Sequence, residues 1–200
     1  MTIQIQWHLV NVSSNTSGSR SKGKKDKDGW HHTFLRITPN VADLWVHDDD
    51  KDGRDPKQKE ADEAWFFTMG AGPGSWFNSN SLVSDLNRET DRVPHKGKFI
   101  NVKVPDKYKS EAEFIEKLLE LDKNYKDNLD YDLFPELEPD GNFDIAGDGY
   151  NSNSYVSGLL LAAGATLPEG SVLPNSPGFE KPVPVQHFVP PKKKPVGAIQ

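Results

Sequence analysis

The sequence contains no cysteine, which excludes disulfides, thiolate metal sites and a cysteine nucleophile and leaves the redox compartment open. It also lacks an excess of positive charge. With 24 Lys and Arg against 30 Asp and Glu, the net charge of −6 has the wrong sign for a nucleic-acid binder, so no nucleic-acid partner is expected. Only 34% of the residues are hydrophobic, and no apolar run approaches the length of a membrane span. The opening residues, MTIQIQWHLV, have no basic region followed by a long apolar stretch, so an ordinary signal peptide is not expected. No internal repeat is visible. The 200 residues suffice for one sizeable domain, provided that its polar loops are long.

Residues 3–12 alternate, with Ile3, Ile5, Trp7 and Leu9 set against Gln4, Gln6 and His8, as in a strand with one buried face. The Ser/Gly/Lys-rich stretch 13–28 reads as a flexible hairpin loop, and Trp30 to Ile37 as the returning strand, stopped by Pro39. Residues 47–62 are almost wholly charged and read as a second flexible, solvated loop. A third strand is expected over Ala64 to Met69, ended by a Gly70-Ala71-Gly72-Pro73-Gly74 turn, and a fourth over Phe99 to Val104. Ser110 to Leu121 predicts a helix with Ser110 and Glu113 as a capping box and an apolar face of Phe114, Ile115, Leu118 and Leu119. In the acidic, turn-rich stretch 122–148, Tyr125, Leu129, Tyr131, Leu133 and Phe134 are expected to fold back onto the core. Strands precede helices, which fits an α+β fold: an antiparallel sheet packed against a few helices. Residues 1–180 form the expected domain, and 181–200 an extended tail rich in proline and lysine. Lys192, Lys193 and Lys194 in that tail are ordinarily no more than a solvated charge run.

The stretch Gly149 to Gly164 carries the most information. A polar, glycine-flanked turn runs into Tyr155, Val156, Leu159, Leu160 and Ala163 at helical spacing, with Gly164 as the stop. Asn151 or Ser152 can cap the first turn, and a cap alone is the bland reading. The turn also sets Ser152 at a helix N-terminus, where free N–H groups and the dipole favour negative charge. His31 or His32 opens the second strand, and the two alternate in facing. A histidine at a strand end beside a hydroxyl at a helix N-terminus is an arrangement for nucleophilic catalysis. The third residue, which would orient the imidazole, is sought around 63–69, where Glu63 and Thr68 are the candidates.

Ser152-Asn153-Ser154-Tyr155-Val156 resembles the nucleophile helix of NlpC-type amidases, which reads Cys-Ser-Gly-Phe-Val. The aromatic residue and the valine fall at the same offsets, and Ser152 falls where the cysteine stands. His32 to Ile37 is similar to the histidine strand of that papain-like superfamily. Here the histidine precedes the nucleophile, as in the circularly permuted branch that includes relatives of lecithin-retinol acyltransferase. Most of the chain also resembles C-terminal domains of bacterial polymorphic toxins of the Rhs type. The segments that carry this are HTFLRITPN (32–40), GAGP (70–73), LVSDLNRETD (82–91), LDKNYKDNLDYDLFP (121–135), YNSNSYVSGLLLAAG (150–164) and PGFEKPVP (177–184).

The resemblance implies a permuted papain-like arrangement and a toxin or effector hydrolase that cleaves an amide or ester. Ser152 would attack, His32 would act as base and Glu63 would be the third catalytic residue. Asn151, Asn153 and Tyr155, with the backbone N–H groups of the helix start, would bind substrate and oxyanion. Serine in place of cysteine demands a strong base and a well-formed oxyanion hole. No cofactor is implied. The substrate would be a peptide, peptidoglycan or a lipid, and the partners an immunity or chaperone protein. The protein would be cytoplasmic in the producer and exported by a specialised secretion system in bacterial competition. The alternative is a catalytically degenerate papain-like interaction module bound by an immunity or partner protein.

Two further motifs fall short of a site. Asp48, Asp50, Asp52 and Gly53 match the opening of a calcium loop, but Lys59 stands where the bidentate acid belongs and Glu60 is one place late. The 70–74 loop lacks the spacing of a phosphate cradle, although its small residues could border a substrate cleft.

Overall fold

A computed structural model describes residues 2–9, 31–38, 66–74, 81–92, 99–132, 135, 149–171, 173 and 175–190. The strands are β1 (Thr2–Leu9), β2 (His31–Thr38), β3 (Phe67–Pro73), β4 (Ser81–Leu86), β5 (Phe99–Asn101) and β6 (Leu129–Asp130). Three α-helices accompany them: α1 (Glu89–Arg92), α2 (Glu111–Asn124) and α3 (Ser152–Ala163), with a 3₁₀ turn at Val185–His187. All strand pairs are antiparallel, in the order β5-β1-β2-β3-β4-β6. The fold is therefore α+β, a six-stranded antiparallel sheet with three helices.

The β1–β2 register explains how the alternating sequence builds two different faces. Ile3 pairs with Ile37 and Ile5 with Leu35, and these four join the main core against Phe114, Leu118, Tyr155, Val156 and Leu159 of α2 and α3. The intervening residues face the other way, so His8 pairs with His32 and Gln6 with Phe34. Ser110 caps α2, its hydroxyl accepting from the Glu113 N–H, and Phe114, Ile115, Leu118 and Leu121 are its buried face. Tyr125 is buried, and Leu129 and Tyr131 pack against the core, as their apolar character predicts.

Three expectations are corrected. The strand expected to end at Met69 runs to Pro73, so Gly70, Ala71 and Gly72 lie inside β3 and form no turn and no cleft-bordering loop. Close approach by other side chains explains the small residues. A Cβ on Gly70 would sit 3.0 Å from Asp91 Oδ2, and one on Gly72 would sit 2.7 Å from an Arg88 guanidinium nitrogen. Neither β4 nor α1 stands out in the sequence, where short polar runs hide their periodicity. The chain also does not leave the core at residue 180. The Val183 N–H donates to the Ser154 carbonyl, and Val183 and Phe188 are fully buried. Each such side chain contributes about 1.5–3 kcal/mol on burial, enough to hold this segment down as a strap. Gly158 admits the strap, since a Cβ there would lie 2.4 Å from the Val183 carbonyl oxygen. The expected loops 13–28 and 47–62, together with Asp48, Asp50, Asp52, Glu63, Leu133, Phe134 and Lys192 to Lys194, lie outside the described residues.

Candidate active site

The start of α3 is fixed by a set of buried polar contacts. Asn151 is the N-cap; its Oδ1 accepts from the N–H groups of Asn153 and Ser154, at 2.9 and 3.1 Å, and its Nδ2 donates to the Pro177 carbonyl. Asn153 ties the helix to β2. Its Oδ1 accepts from the Thr33 N–H at 2.7 Å and from the Thr33 hydroxyl, while its Nδ2 donates to the carbonyls of His31 and Pro177. The Ser154 hydroxyl donates to the Gly178 carbonyl, and the His31 N–H to that of Asn175. The beginning of β2, the first turn of α3 and the 175–178 segment are thereby locked together, and this lock delivers Ser152 to His32.

Ser152 Oγ lies 2.6 Å from His32 Nδ1. On the other side of the ring, His32 Nε2 lies 3.1 Å from Asp91 Oδ1. Ser152, His32 and Asp91 are all buried. Burial pushes the His32 imidazole below its ordinary value of 6.5, and the neighbouring Asp91 carboxylate opposes this without cancelling it, so the ring is neutral at neutral pH. Burial acts to raise the Asp91 carboxyl. Hydrogen bonds from His32 and His8, reinforced by the positive charge of Arg88, outweigh it and hold the carboxyl well below the usual carboxylate range. An ionised Asp91 only accepts, so the single proton of a neutral His32 sits on Nε2 and Nδ1 presents its lone pair to the Ser152 hydroxyl. A hydroxyl, an imidazole and a carboxylate are thus brought into one hydrogen-bonded chain from α3, β2 and α1.

The third member was not legible in the sequence. Asp91 takes the position for which Glu63 and Thr68 were the candidates. Glu63 lies outside the described residues, and Thr68 is a buried β3 residue opposite Arg36 that makes no bond to His32. Asp91 sits in a four-residue helix without apolar periodicity. Its one signal was its position as the acid closing the 82–91 segment.

The expected oxyanion contacts are also redrawn. The side chains of Asn151 and Asn153 are spent on the cap and the strand lock. Tyr155 is fully buried among Tyr125 and Phe188, with its hydroxyl donating to Asp122. Because Asn151 takes the N–H groups of Asn153, Ser154 and Tyr155, the N–H of Ser152 itself is the first-turn amide with no partner among the described residues. His8 adds a second imidazole, its Nε2 3.4 Å from the same Asp91 oxygen and its ring centroid 4.9 Å from that of His32. His8, His32 and Asp91 are also a group whose donor atoms could hold a metal ion. No described helix is long and apolar enough to cross a membrane. Comparison with protein-family models, with curated proteins and with solved structures finds no match.

Proposed function

We propose that this chain is a serine-dependent hydrolase of amide or ester bonds, with Ser152 as nucleophile, His32 as general base and Asp91 as the residue that positions and charges the imidazole. The observation that carries the reading is the continuous chain Ser152 Oγ, His32 Nδ1, His32 Nε2, Asp91 Oδ1, at 2.6 and 3.1 Å, within the reach that proton transfer requires. His32 Nδ1 takes the hydroxyl proton as Oγ attacks the carbonyl carbon. The Ser152 N–H, at the positive end of α3, donates to the oxygen that becomes negative. The imidazolium, stabilised by Asp91, returns the proton to the leaving group, and water resolves the acyl-enzyme by the same steps in reverse. The ring is used in the opposite sense to the chymotrypsin-type triad, with Nδ1 toward the hydroxyl and Nε2 toward the acid. The permuted papain-like arrangement and the role of an exported bacterial effector, held by an immunity or chaperone protein, rest on the sequence resemblance and form part of the same proposal.

A serine-reactive fluorophosphonate tests it. Labelling of the purified protein at Ser152, located by peptide mass spectrometry and abolished in Ser152→Ala with an unchanged melting temperature, is the expected result. One observation favours a second reading. Ser152 is 7% exposed, which suits a polar core network in an interaction module without chemistry. A folded protein that takes up no probe, yet binds a partner stably, selects that module.

A further inference from the structure

We propose that His8, His32 and Asp91 form a binding site for a zinc-class divalent cation, and that an ion bound there switches off the Ser152 base. The switching rests on the hydrolase reading above; the binding does not.

The two histidines are cross-strand partners on β1 and β2, so their rings stand side by side on one face of the sheet. Both direct Nε2 at one oxygen of Asp91, at 3.4 Å from His8 and 3.1 Å from His32, and the three donor atoms lie within 4.8 Å of one another. Zinc held by imidazole nitrogen and carboxylate oxygen has bonds of about 2.0–2.2 Å, which sets tetrahedral ligand atoms about 3.3–3.5 Å apart. Two edges of that figure are already close to this length. Two further observations point to a cation. Asp91 is 2% exposed and its second oxygen, Oδ2, is buried with no partner among the described residues, so the carboxylate is under-compensated and a cation on Oδ1 would balance its charge. The His8 side chain keeps 22% of its surface, which leaves an approach from solvent, whereas Asp91 and His32 are enclosed. Two imidazoles and one carboxylate are a borderline donor set that suits zinc, and a water would complete four-coordination.

Coordination changes where the His32 proton sits. The cation takes the Nε2 lone pair, so the proton that Nε2 donated to Asp91 relocates through solvent to Nδ1. The ring remains neutral and releases no net proton. Nδ1–H then donates to Ser152 Oγ, and the hydroxyl loses the acceptor that would remove its proton. A bound ion therefore arrests Ser152 without touching it.

The test uses zinc and cobalt(II) ions with the whole chain. Equilibrium dialysis is expected to give one zinc per chain. His8→Ala is expected to weaken binding by at least the about 100-fold that losing even an outer-shell partner can cost. Undiminished zinc binding by this variant identifies adventitious surface binding and overturns the site. His8→Cys gives a second, spectroscopic reading that is unambiguous because the chain has no cysteine of its own. Cobalt added to this variant should produce a thiolate-to-metal charge-transfer band, and its absence in a folded sample overturns His8 as a ligand. The switch is read as the ratio of fluorophosphonate labelling rates without and with zinc, taken within each variant. A ratio of tenfold or more in the unmodified protein and near one in His8→Ala supports it. A ratio near one in the unmodified protein, with zinc bound, overturns it. A protein that is never labelled removes the hydrolase reading and the switch with it, while stoichiometry and the cobalt band still decide the site.

Discussion

Asp91 and Asp122 are both buried, at 2% and 8% exposure, and each is hydrogen-bonded to a ring-bearing side chain, yet their carboxyl groups are driven in opposite directions. Burial raises both. Around Asp91 that push is reversed by two imidazoles and by the charge of Arg88. Around Asp122 it prevails: the Tyr155 and Ser84 hydroxyls offset only part of it, and the acidic neighbours Asp127 and Asp85 add to it. The sign of the surrounding charge, more than depth, decides which way a buried carboxyl group is driven. Only an anion can hold the His32 proton on Nε2 and leave Nδ1 free for Ser152. Asp91 therefore belongs to the candidate chemistry, and Asp122 to the packing of α2 against α3.

Exchanging each acid for its amide breaks this comparison most sharply. Asp91→Asn removes the negative charge that holds the ring proton on Nε2 and stabilises the imidazolium, so Nδ1 is no longer fixed as the acceptor for the Ser152 hydroxyl. Fluorophosphonate labelling should slow by about 10³–10⁴-fold, as expected of a triad acid made neutral. Asp122→Asn should label at the rate of the unmodified protein. Equal slowing in both variants, measured alongside their melting temperatures, would reduce Asp91 to a structural residue.

The dependence on pH follows the same signs. His32 is a base whose value in the folded protein lies below 6.5, so the unfolded chain binds more protons as pH falls through 6.5 and stability is lost in that direction. The loss should approach about 1.4 kcal/mol per pH unit for this proton. Asp91, lowered from an ordinary 3.8, adds a further loss below that pH as its carboxylate is titrated. Denaturant melts between pH 7.5 and 5 should show the first slope, and His32→Gln should flatten it. The labelling rate should keep its neutral-pH plateau to below pH 6.5 before falling on the acid side.

How much of this could be read from the chain depends on how locally each feature is encoded. Strand β1, helix α2 and helix α3 with its Gly164 stop follow from alternation, caps and helical spacing, which are properties of a dozen consecutive residues. Ser152 was legible as a helix start, and His32 as a strand start, for the same reason. Asp91 was not, because a four-residue helix carries no period and its partners lie 59 and 83 residues earlier in the chain. Asn151 and Asn153 were legible as polar residues at a helix entry, but their duty as a brace is set by carbonyls of His31 and Pro177, brought there only by folding. The GAGP segment misleads for a related reason: its small residues answer to Asp91 and Arg88 across the sheet face, and local sequence reads them as a turn.

Gly70 offers a gentler way to sharpen the contrast. A methyl group there would meet Asp91 Oδ2 at 3.0 Å and Phe34 Cβ at 3.6 Å, so the carboxylate must yield by a few tenths of an ångström and draw His32 Nε2 with it. Gly70→Ala should therefore slow labelling by about tenfold or less, short of the effect of a full misplacement, with the pH profile shifted because the Asp91–His32 bond is the one disturbed. A slower rate with an unchanged profile would place the disturbance elsewhere than at that bond.

The smallest effect is expected at Asp122 itself. An asparagine keeps an oxygen to accept the Tyr155 hydroxyl and gains an N–H for Ser84, so both polar contacts of the buried cluster survive Asp122→Asn. The unfolding free energy should change by less than about 1 kcal/mol near neutral pH, the scale of one net hydrogen bond. The direction with pH is fixed by the raised carboxyl. A group whose folded value lies above its unfolded one stabilises at low pH and loses that contribution as pH rises through the folded value. Asparagine has no such loss. The difference in stability between variant and unmodified protein should move in favour of the variant as pH rises from 4 to 8, whereas the Asp91 carboxylate, lowered from 3.8, titrates below this range. A difference that stays flat or moves against the variant over this range would mean that the Asp122 carboxyl is not raised, and the contrast with Asp91 would fail.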